Sequence, residues 1–293
     1  MRSHSHSGVK EREPDRAQTV IPQCDGRGCP YQLYIVGIGP GRIEHLTQRA
    51  VEVLHSVECV VGYGLYIDLI QPLIEGKETL RSGMMKEVAR VEAAIAAAMS
   101  GKACALVSSG DPGIYAMAGL VFETCQLKKI SLLPPGGQAA GEKGAPTLRV
   151  EVVPGIPALC AGAALLGAPL THDFAVVSLS DLLTPWEVIA KRLEAAARAD
   201  FVIVIYNPKS RKRTWQLEAA RSIIQAHRSP DTPVGVVTGA MRPNQDVRIV
   251  PLAALNEAHV DMQTTLFVGS RASNRYLDFM FTPRGYSDKY EIG

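Results

Sequence analysis

Short apolar runs alternate with helical repeats along most of the chain after residue 31. The runs 33–38, 103–107 and 201–206 are almost wholly apolar, which is typical of strands buried on both faces of a parallel sheet. Between the strands apolar residues recur every three or four positions. In the predicted helix over 86–100 this spacing places four residues on one face: Val88, Val91, Ile95 and Met99. The alternation predicts an α/β fold.

Changes of composition divide the chain into segments. Residues 1–30 are polar and carry a charged run, so we expect a disordered extension. Residues 31–168 form a predicted N-terminal α/β domain with a parallel sheet, and the Gly- and Pro-rich stretch 134–146 is a predicted flexible insertion. Residues 169–293 form a predicted C-terminal α/β domain with a mixed sheet.

Bulk composition excludes some classes of protein. A net charge of +2 with 46% hydrophobic and 20% charged residues is ordinary for a globular chain. No apolar run approaches the roughly 20 residues that span a bilayer, so we expect no membrane association and a cytoplasmic location. The six cysteines are scattered, and we expect no disulfides and no metal site at the isolated pair Cys24 and Cys29. Cys104 and Cys160 lie in apolar segments and are expected to be buried.

A glycine-rich turn follows the first predicted strand. The segment 37–41 reads Gly-Ile-Gly-Pro-Gly, but the third glycine of a dinucleotide-binding motif is replaced by Arg42. Pro40 also removes an amide donor that a pyrophosphate would use. Two interpretations remain open. Either a ligand approaches bare backbone here, or the segment is a tight turn without a ligand.

A second loop, over residues 108–115, concentrates hydroxyls, a carboxylate and two glycines after an apolar strand. Open α/β sheets bind ligands at the carboxyl ends of their strands, so this loop is a candidate binding site. Asp111 either caps the following helix or contacts the ligand, and the two roles are compatible.

Four cations follow the buried strand 201–206: Lys209, Arg211, Lys212 and Arg213. They are either a solvated helix start or a site for an anion, because cations at a helix N-terminus oppose its dipole. We favour a polycarboxylate partner, with Arg42 and Arg242 as further contacts. Nucleic acid is not expected, since no aromatic stacking platform accompanies the charges.

Three sequence motifs together resemble those of a known protein family. In order and spacing, residues 36–41, 108–115 and 153–158 resemble the tetrapyrrole methylase family. Residues 169–174, 178–186, 206–208 and 282–286 are similar to the branch of that family that methylates precorrin-3B at carbon 17. The similarity extends over about residues 33–286.

The resemblance implies two α/β domains with a cleft between them, a homodimer, and S-adenosylmethionine (SAM) as methyl donor with S-adenosylhomocysteine as product. It implies methylation of precorrin-3B at carbon 17 with ring contraction to precorrin-4, in cobalamin biosynthesis. The residues expected to line the SAM pocket are Ser108, Ser109, Gly110, Asp111, Gly113, Ile114, Tyr115, Ile156, Pro157, Ala158, Tyr206, Asn207, Thr238, Gly239 and Ala240. Those expected to border the tetrapyrrole polycarboxylate are Gly39, Pro40, Gly41, Arg42, Lys209, Arg211, Arg213 and Arg242.

Ring contraction requires a base, because a proton leaves the substrate hydroxyl as the ring bond migrates. The candidates are His172, Asp111 and Asp181. Two enzyme alternatives stay open, namely the cobalt-containing substrate of the oxygen-independent pathway and another precorrin methyltransferase. A binding protein for corrinoid intermediates is the alternative without turnover.

Overall fold

The computed structural model describes residues 31–137 and 147–291. The expected disordered extension at 1–30, with Cys24 and Cys29, lies outside these ranges. So does most of the predicted flexible insertion, of which only residues 134–137 are described. Within the described ranges, the helices are all too short or too polar to cross a bilayer.

The first half of the chain alternates strands with helices, as predicted. Its strands are β1 (Tyr31–Gly37), β2 (Cys59–Tyr63), β3 (Glu78–Ser82), β4 (Cys104–Ser108), β5 (Ser131–Leu133) and β6 (Thr147–Val153). Its helices are α1 (Gln48–Ser56), α2 (Gly64–Leu69), α3 (Glu87–Met99), α4 (Met117–Leu127) and α5 (Ala158–Leu166). The six strands form one sheet in the order β3-β2-β4-β1-β6-β5.

All neighbouring pairs in this first sheet are parallel. Side chains of β1 therefore alternate between two cores, with Leu33 and Ile35 on the face covered by α3 and α4. Tyr34 and Val36 point to the other face, which α1 and α2 cover. Because the strands run the same way, the loops after all of them meet at one edge.

The second half contains β7 (Gly167–Ala168), β8 (Phe174–Ser178), α6 (Trp186–Arg198), β9 (Val202–Tyr206), α7 (Trp215–Gln225), β10 (Pro233–Thr238), β11 (Asp246–Pro251), β12 (Thr264–Val268), β13 (Asn274–Tyr276) and β14 (Phe279–Phe281). Five strands form a second sheet in the order β11-β10-β12-β9-β8. Only the β8–β9 pair is parallel, so the predicted mixed sheet is confirmed. A small third sheet has the order β13-β14-β7.

Helix α5 belongs to the core of the second half. Its Leu159 and Leu166 are buried in one cluster with Val204 and Phe267 of the second sheet. A Cβ added at Gly162 would lie 2.6 Å from the Phe267 ring, so the helix packs directly on this sheet. The predicted domain division at 168/169 stays a prediction, and this packing favours a boundary before Ala158.

The structure differs from one predicted helix face and from one predicted burial. Val88 is 57% exposed, although Val91 and Ile95 on the same predicted face are buried. The first turn of α3 lies beyond the sheet, beside the chain that leaves β3, as the hydrogen bond from Arg90 to the carbonyl of Gly83 shows. Cys160 is exposed, whereas Cys104 is buried as expected. The apolar composition of α5 misled the second prediction, because only one face of that helix is covered.

Candidate active site

Three glycines bring the loops after β1, β4 and β6 into backbone contact. A Cβ at Gly37 would lie 2.7 Å from both the Gly110 carbonyl oxygen and the Gly155 amide nitrogen. A Cβ at Gly155 would lie 2.2 Å from the Gly110 oxygen. The chains of Gly39 and Gly110 also exchange two hydrogen bonds, of 3.2 and 2.8 Å. Side chains are excluded from this junction, so its backbone forms the floor of the site.

Asp111 braces the junction. Its Oδ1 accepts a hydrogen bond from the Gly113 amide at 2.8 Å, and its Oδ2 accepts one from the Gly155 amide at 3.2 Å. The side chain does not cap α4, whose N-cap is Ala116. One carboxylate oxygen therefore holds the β4 loop itself and the other joins it to the β6 loop, which makes Asp111 a positioning group.

The second sheet faces this junction with the carboxyl ends of β8, β9 and β10. Tyr115, in the β4 loop, donates a hydrogen bond from its hydroxyl to the Val176 carbonyl of β8 at 3.1 Å. The Tyr206 hydroxyl at the end of β9 accepts one from the Leu159 amide at 2.9 Å. The two tyrosine rings are 5.3 Å apart. These contacts place the expected SAM-lining segments of both halves around one cleft.

An apolar wall lies behind Tyr206. Ile114, Tyr206 and Ala240 pack against the buried cluster that includes Leu159 and Phe267. Burial raises the pKa of Tyr206 to about 12, so its phenol stays neutral. The wall could hold a flat apolar group such as adenine.

The loop after β10 closes one side of the cleft. The hydroxyls of Thr238 and Thr264 are hydrogen bonded at 2.8 Å across β10 and β12 and are buried. Gly239 has a positive φ of 57°, which turns the chain toward Ala240. The Thr238 side chain is thus occupied inside the sheet and Gly239 is buried, so Ala240 is the first residue of this segment that is partly exposed.

Three of the seven non-glycine residues with positive φ in the described ranges follow strands that end at the cleft. Tyr115, Asn207 and Met241 have φ values of 50°, 50° and 59°, although none is glycine. Each such conformation costs about 1–3 kcal/mol and persists only where the surroundings enforce it. These residues follow β4, β9 and β10, the strands whose ends border the cleft. Such strain is common at functional sites.

Arg242 connects the two halves at the glycine-rich turn. Its Nε donates to the Pro40 carbonyl at 2.6 Å and its Nη2 donates to the Ser109 hydroxyl at 2.9 Å. A Cβ at Gly41 would lie 3.0 Å from the Arg242 side chain. The predicted substrate residues Gly39, Pro40, Gly41 and Arg242 are thus brought together beside the predicted SAM-lining Ser109. Arg42 is next to them in the chain, and its side chain is exposed.

The basic cluster after β9 is only partly at the cleft. Arg213 donates from Nη2 to the Asn207 carbonyl at 2.6 Å, and burial lowers the pKa of Arg213 while the charge of Asp181 opposes this shift. The Oδ2 of Asp181 accepts a hydrogen bond from the Gln216 amide at 2.7 Å, three residues along the chain from Arg213. Lys209 is half-buried and Arg211 is exposed.

His172 is not brought to this cluster. It precedes β8, whose carboxyl end at Ser178 borders the cleft and whose amino end points away from it. At about 3.3 Å per residue, the strand separates His172 from Ser178 by roughly 20 Å. Its Nδ1 already accepts a hydrogen bond from the Asp173 amide at 2.8 Å.

Sequence reasoning missed several groups at the cleft. Tyr63, Tyr66 and Arg90 lie at the edge where β2 and β3 end, and Gln216 holds Asp181. The apolar run that predicts this strand covers only 59–61, yet β2 continues to Tyr63. Had that strand been extended by two residues, the rule that ligands bind at carboxyl ends would have drawn attention to both tyrosines.

Comparison with known proteins identifies the family of this chain. The sequence matches the family Tetrapyrrole (Corrin/Porphyrin) Methylases over residues 32–256, which is more than half of the chain. The chain is a tetrapyrrole methylase. The predicted family and fold class are confirmed. Members of this family are SAM-dependent methyltransferases, so the predicted cofactor is confirmed with them.

Relatives of this methylase carry related names. A protein of Priestia megaterium named "Cobalt-factor III methyltransferase" is 44% identical over 261 residues, which are 89% of this chain and 46% of that protein. A Salmonella typhimurium protein named "Probable cobalt-factor III C(17)-methyltransferase" is 42% identical over 87% of this chain and 99% of its own length. The chain thus spans less than half of the first relative and nearly all of the second.

Solved structures agree with the sequence relatives. The crystal structure of the methyltransferase CobJ superposes with a TM-score of 0.76 at 34% identity, covering 87% of this chain and 100% of CobJ. The X-ray structure of cobalt precorrin-4 methyltransferase, CbiF, gives a TM-score of 0.62 at 25% identity over 85% of this chain and 98% of CbiF. These likenesses agree with the family and with its methyltransferase fold.

Proposed function

We propose that this methylase transfers a methyl group from SAM to carbon 17 of a tetrapyrrole at the precorrin-3 stage of cobalamin biosynthesis, with contraction of the ring. The proposal rests on one observation. The loops that contain Gly37, Gly110 and Gly155 meet one another, and the apolar wall at Tyr206 faces them across the cleft. The names of the Priestia and Salmonella relatives supply the substrate class.

The residues of the cleft fit SAM. Bare backbone at Gly110 and Gly155 allows a ligand to approach closely, and amides in such loops suit a carboxylate. Ile114, Tyr206 and Ala240 offer an apolar surface for adenine. SAM supplies an activated methyl group on a sulfonium, whose S–CH₃ bond breaks as the new C–C bond forms and leaves the neutral thioether of S-adenosylhomocysteine.

The chain itself has three tasks, which are to hold carbon 17 in line with the methyl group, to exclude water and to move one proton. The Asp111 hydrogen bond joins the β4 and β6 loops, and those of Arg242 and Tyr115 fix the first half against the second. That fixed geometry restricts the substrate to one approach. Positioning therefore carries most of the catalysis.

Asp181 is the strongest of the three candidates for the base. Asp111 uses both carboxylate oxygens on backbone amides, and His172 is at the far end of β8. Asp181 follows the end of β8 that faces the cleft, and one of its oxygens is held by Gln216. The nearby cation of Arg213 would stabilise an alkoxide as the substrate hydroxyl loses its proton.

Two candidate substrates remain, one with cobalt and one without. The relatives at 44% and 42% identity are named for cobalt-factor III, which favours the cobalt-containing macrocycle. The motifs at 169–174 and 178–186 instead resemble the branch that acts on metal-free precorrin-3B. Parallel incubations with SAM and each macrocycle, followed by mass spectrometry and visible spectra, distinguish them.

The expected product has gained one methyl group and shows the spectrum of a contracted ring. Binding of SAM without a mass gain of either macrocycle would contradict the proposal and favour a binding protein. The homodimer is likewise a proposal from the resemblance. Light scattering of the eluting protein would measure its mass against the 31.5 kDa of one chain.

A further inference from the structure

Arg90 is a buried cation surrounded by neutral groups. Its side chain is on α3, and the residue is only 5% exposed. Its Nε donates to the Ser82 hydroxyl at 2.7 Å, its Nη2 donates to the Gly83 carbonyl at 2.8 Å, and its Nη1 approaches the Met117 sulfur at 3.8 Å. Its guanidinium carbon is 5.9 Å from the centre of the Tyr63 ring. Among the described residues no carboxylate oxygen comes within 4.0 Å of it.

A buried guanidinium without a counter-charge is unusual because desolvating one ion costs several kcal/mol. Arg228, in the same chain, shows how the charge of a buried arginine is usually balanced. It is also 5% exposed, and its Nη1 is paired with the Asp200 carboxylate at 3.1 Å. The environment of Arg90 holds the guanidinium by neutral hydrogen bonds and leaves its charge to be balanced by something else.

Tyr66 lies next to Tyr63, with ring centres 5.2 Å apart, and Tyr63 in turn lies against the Arg90 guanidinium. A second cation, Arg242, is held at the loops after β1 and β4, and β4 pairs with β2, the strand that precedes Tyr66. Burial raises the pKa of Tyr66, and the positive charges of Arg242 and then of Arg90 oppose that rise, so both cations act on the same phenol. Arg242 is held by the Pro40 carbonyl and the Ser109 hydroxyl, and no ion pair of Arg242 is found within the described ranges. Glu87 also acts on Tyr66, but it is exposed and forms no ion pair with Arg90.

We propose that Arg90, Arg242 and Tyr66 form a subsite that binds one carboxylate of a ligand in the cleft. The chemistry is complementary, since two guanidiniums and a phenol hydroxyl offer several N–H and O–H donors and no acceptor stronger than the phenol oxygen. The subsite lies at the edge where β2, β3 and β4 end, beside the Gly39–Gly41 turn. The inference rests on the proposed function, which supplies two sources of a carboxylate, namely an acid side chain of the macrocycle and the methionine end of SAM.

The test measures binding of two probes separately. Uroporphyrin, which carries eight carboxylates on a tetrapyrrole, and S-adenosylhomocysteine are each titrated into wild type and into Arg90→Gln. A charge-assisted hydrogen bond is worth roughly 1.5–3 kcal/mol, so we expect the affinity of one probe to fall about 10- to 100-fold. A loss for uroporphyrin assigns the subsite to the macrocycle, and a loss for S-adenosylhomocysteine alone assigns it to the methionine carboxylate. Unchanged affinity for both probes overturns the proposal.

A stability measurement separates a binding role from a structural one. If the charge of Arg90 awaits a ligand, Arg90→Gln should leave the melting temperature of the ligand-free protein unchanged or raise it. Arg228→Gln is the matched control, because it removes an equally buried arginine whose charge is balanced. It should lower the melting temperature and leave the affinity for both probes unchanged. A lower melting temperature in Arg90→Gln with intact probe binding would show that Arg90 is structural.

Two milder variants keep the proposal testable if Arg90→Gln does not fold. Tyr66→Phe removes only the hydroxyl and should weaken the same probe about 2- to 10-fold. Arg242→Gln should weaken that probe as well, whereas an effect on the other probe alone would contradict a shared subsite. Because the probes report binding without turnover, absence of methyl transfer to carbon 17 would refute the proposed function and leave the subsite to be judged by these titrations.

Discussion

Gly155→Ala tests whether the three-glycine junction builds the cofactor site. The added Cβ would lie 2.2 Å from the Gly110 carbonyl oxygen and 2.8 Å from the carbonyl carbon and oxygen of Gly37. All of these atoms are backbone, so no side chain can rotate away. The β4 or β6 loop must move, and the hydrogen bond from the Gly155 amide to Asp111 must lengthen with it.

The size of the effect follows from the contact distances. Overpacking usually costs about 1–3 kcal/mol, and a contact this short between backbone atoms belongs at the upper end of that range. A loss of about 3 kcal/mol corresponds to a fall of roughly 6–12 °C in melting temperature. Because the same loops are expected to contact SAM, we expect the affinity for S-adenosylhomocysteine to fall at least about tenfold.

Calorimetric titration with S-adenosylhomocysteine and thermal unfolding measure both effects. Gly119→Ala is the matched control. Gly119 lies within α4, and a Cβ there would meet nothing within 4 Å. Alanine at this helical position should stabilise the protein by about 0.5–1 kcal/mol and leave binding unchanged. Wild-type stability and affinity in Gly155→Ala would refute the reasoning that the junction positions the site.

The remaining predictions concern single groups around the cleft. Asp111→Asn turns one acceptor oxygen into a donor that faces a backbone amide, so urea unfolding should show a loss of about 1–3 kcal/mol; equal stability would contradict the bracing role. Asp181→Asn should reduce turnover by about 100-fold or more with less than a twofold change in affinity for S-adenosylhomocysteine, whereas His172→Ala should keep wild-type turnover; the reverse order would make His172 the base. Tyr206 keeps its proton in the folded protein up to a pKa of about 12, above its ordinary 10.0, so its contribution to stability is complete below pH 10 and is lost as the pH rises toward 12. Tyr206→Phe should therefore show a shallower loss of stability over pH 10–12, and an identical slope would mean that another group causes it.

The first sheet and the edge where its loops meet were predictable because parallel strands have a strong sequence signal. Buried runs such as 103–107 appear as continuous apolar stretches, and the loops that follow them must meet at one edge. The motifs at 108–115 and 153–158 therefore indicated neighbouring loops before any contact was known. The observed junction of Gly110 and Gly155 has this origin.

Other features depend on long-range contacts that a sequence pattern does not contain. The packing of α5 on the second sheet is decided by Gly162 fitting against Phe267, more than 100 residues away. The β13–β14 hairpin has three-residue strands, too short to give an alternation. His172 was a reasonable base by residue type, but the direction of β8 places it at the wrong end of the strand. The neutral surroundings of Arg90 likewise become visible only when Ser82, Met117 and Tyr63 are placed around it.

The central claim is that this cleft methylates carbon 17 of a precorrin-3-stage macrocycle. The most direct measurement is NMR of the product formed with SAM carrying a ¹³C-labelled methyl group, using cobalt-factor III and precorrin-3B in separate reactions. We predict one new labelled methyl signal, coupled to the protons around carbon 17, with at least one of the two substrates. A labelled methyl on any other carbon, or no labelled product from either macrocycle, would contradict the assignment and leave the family membership unchanged.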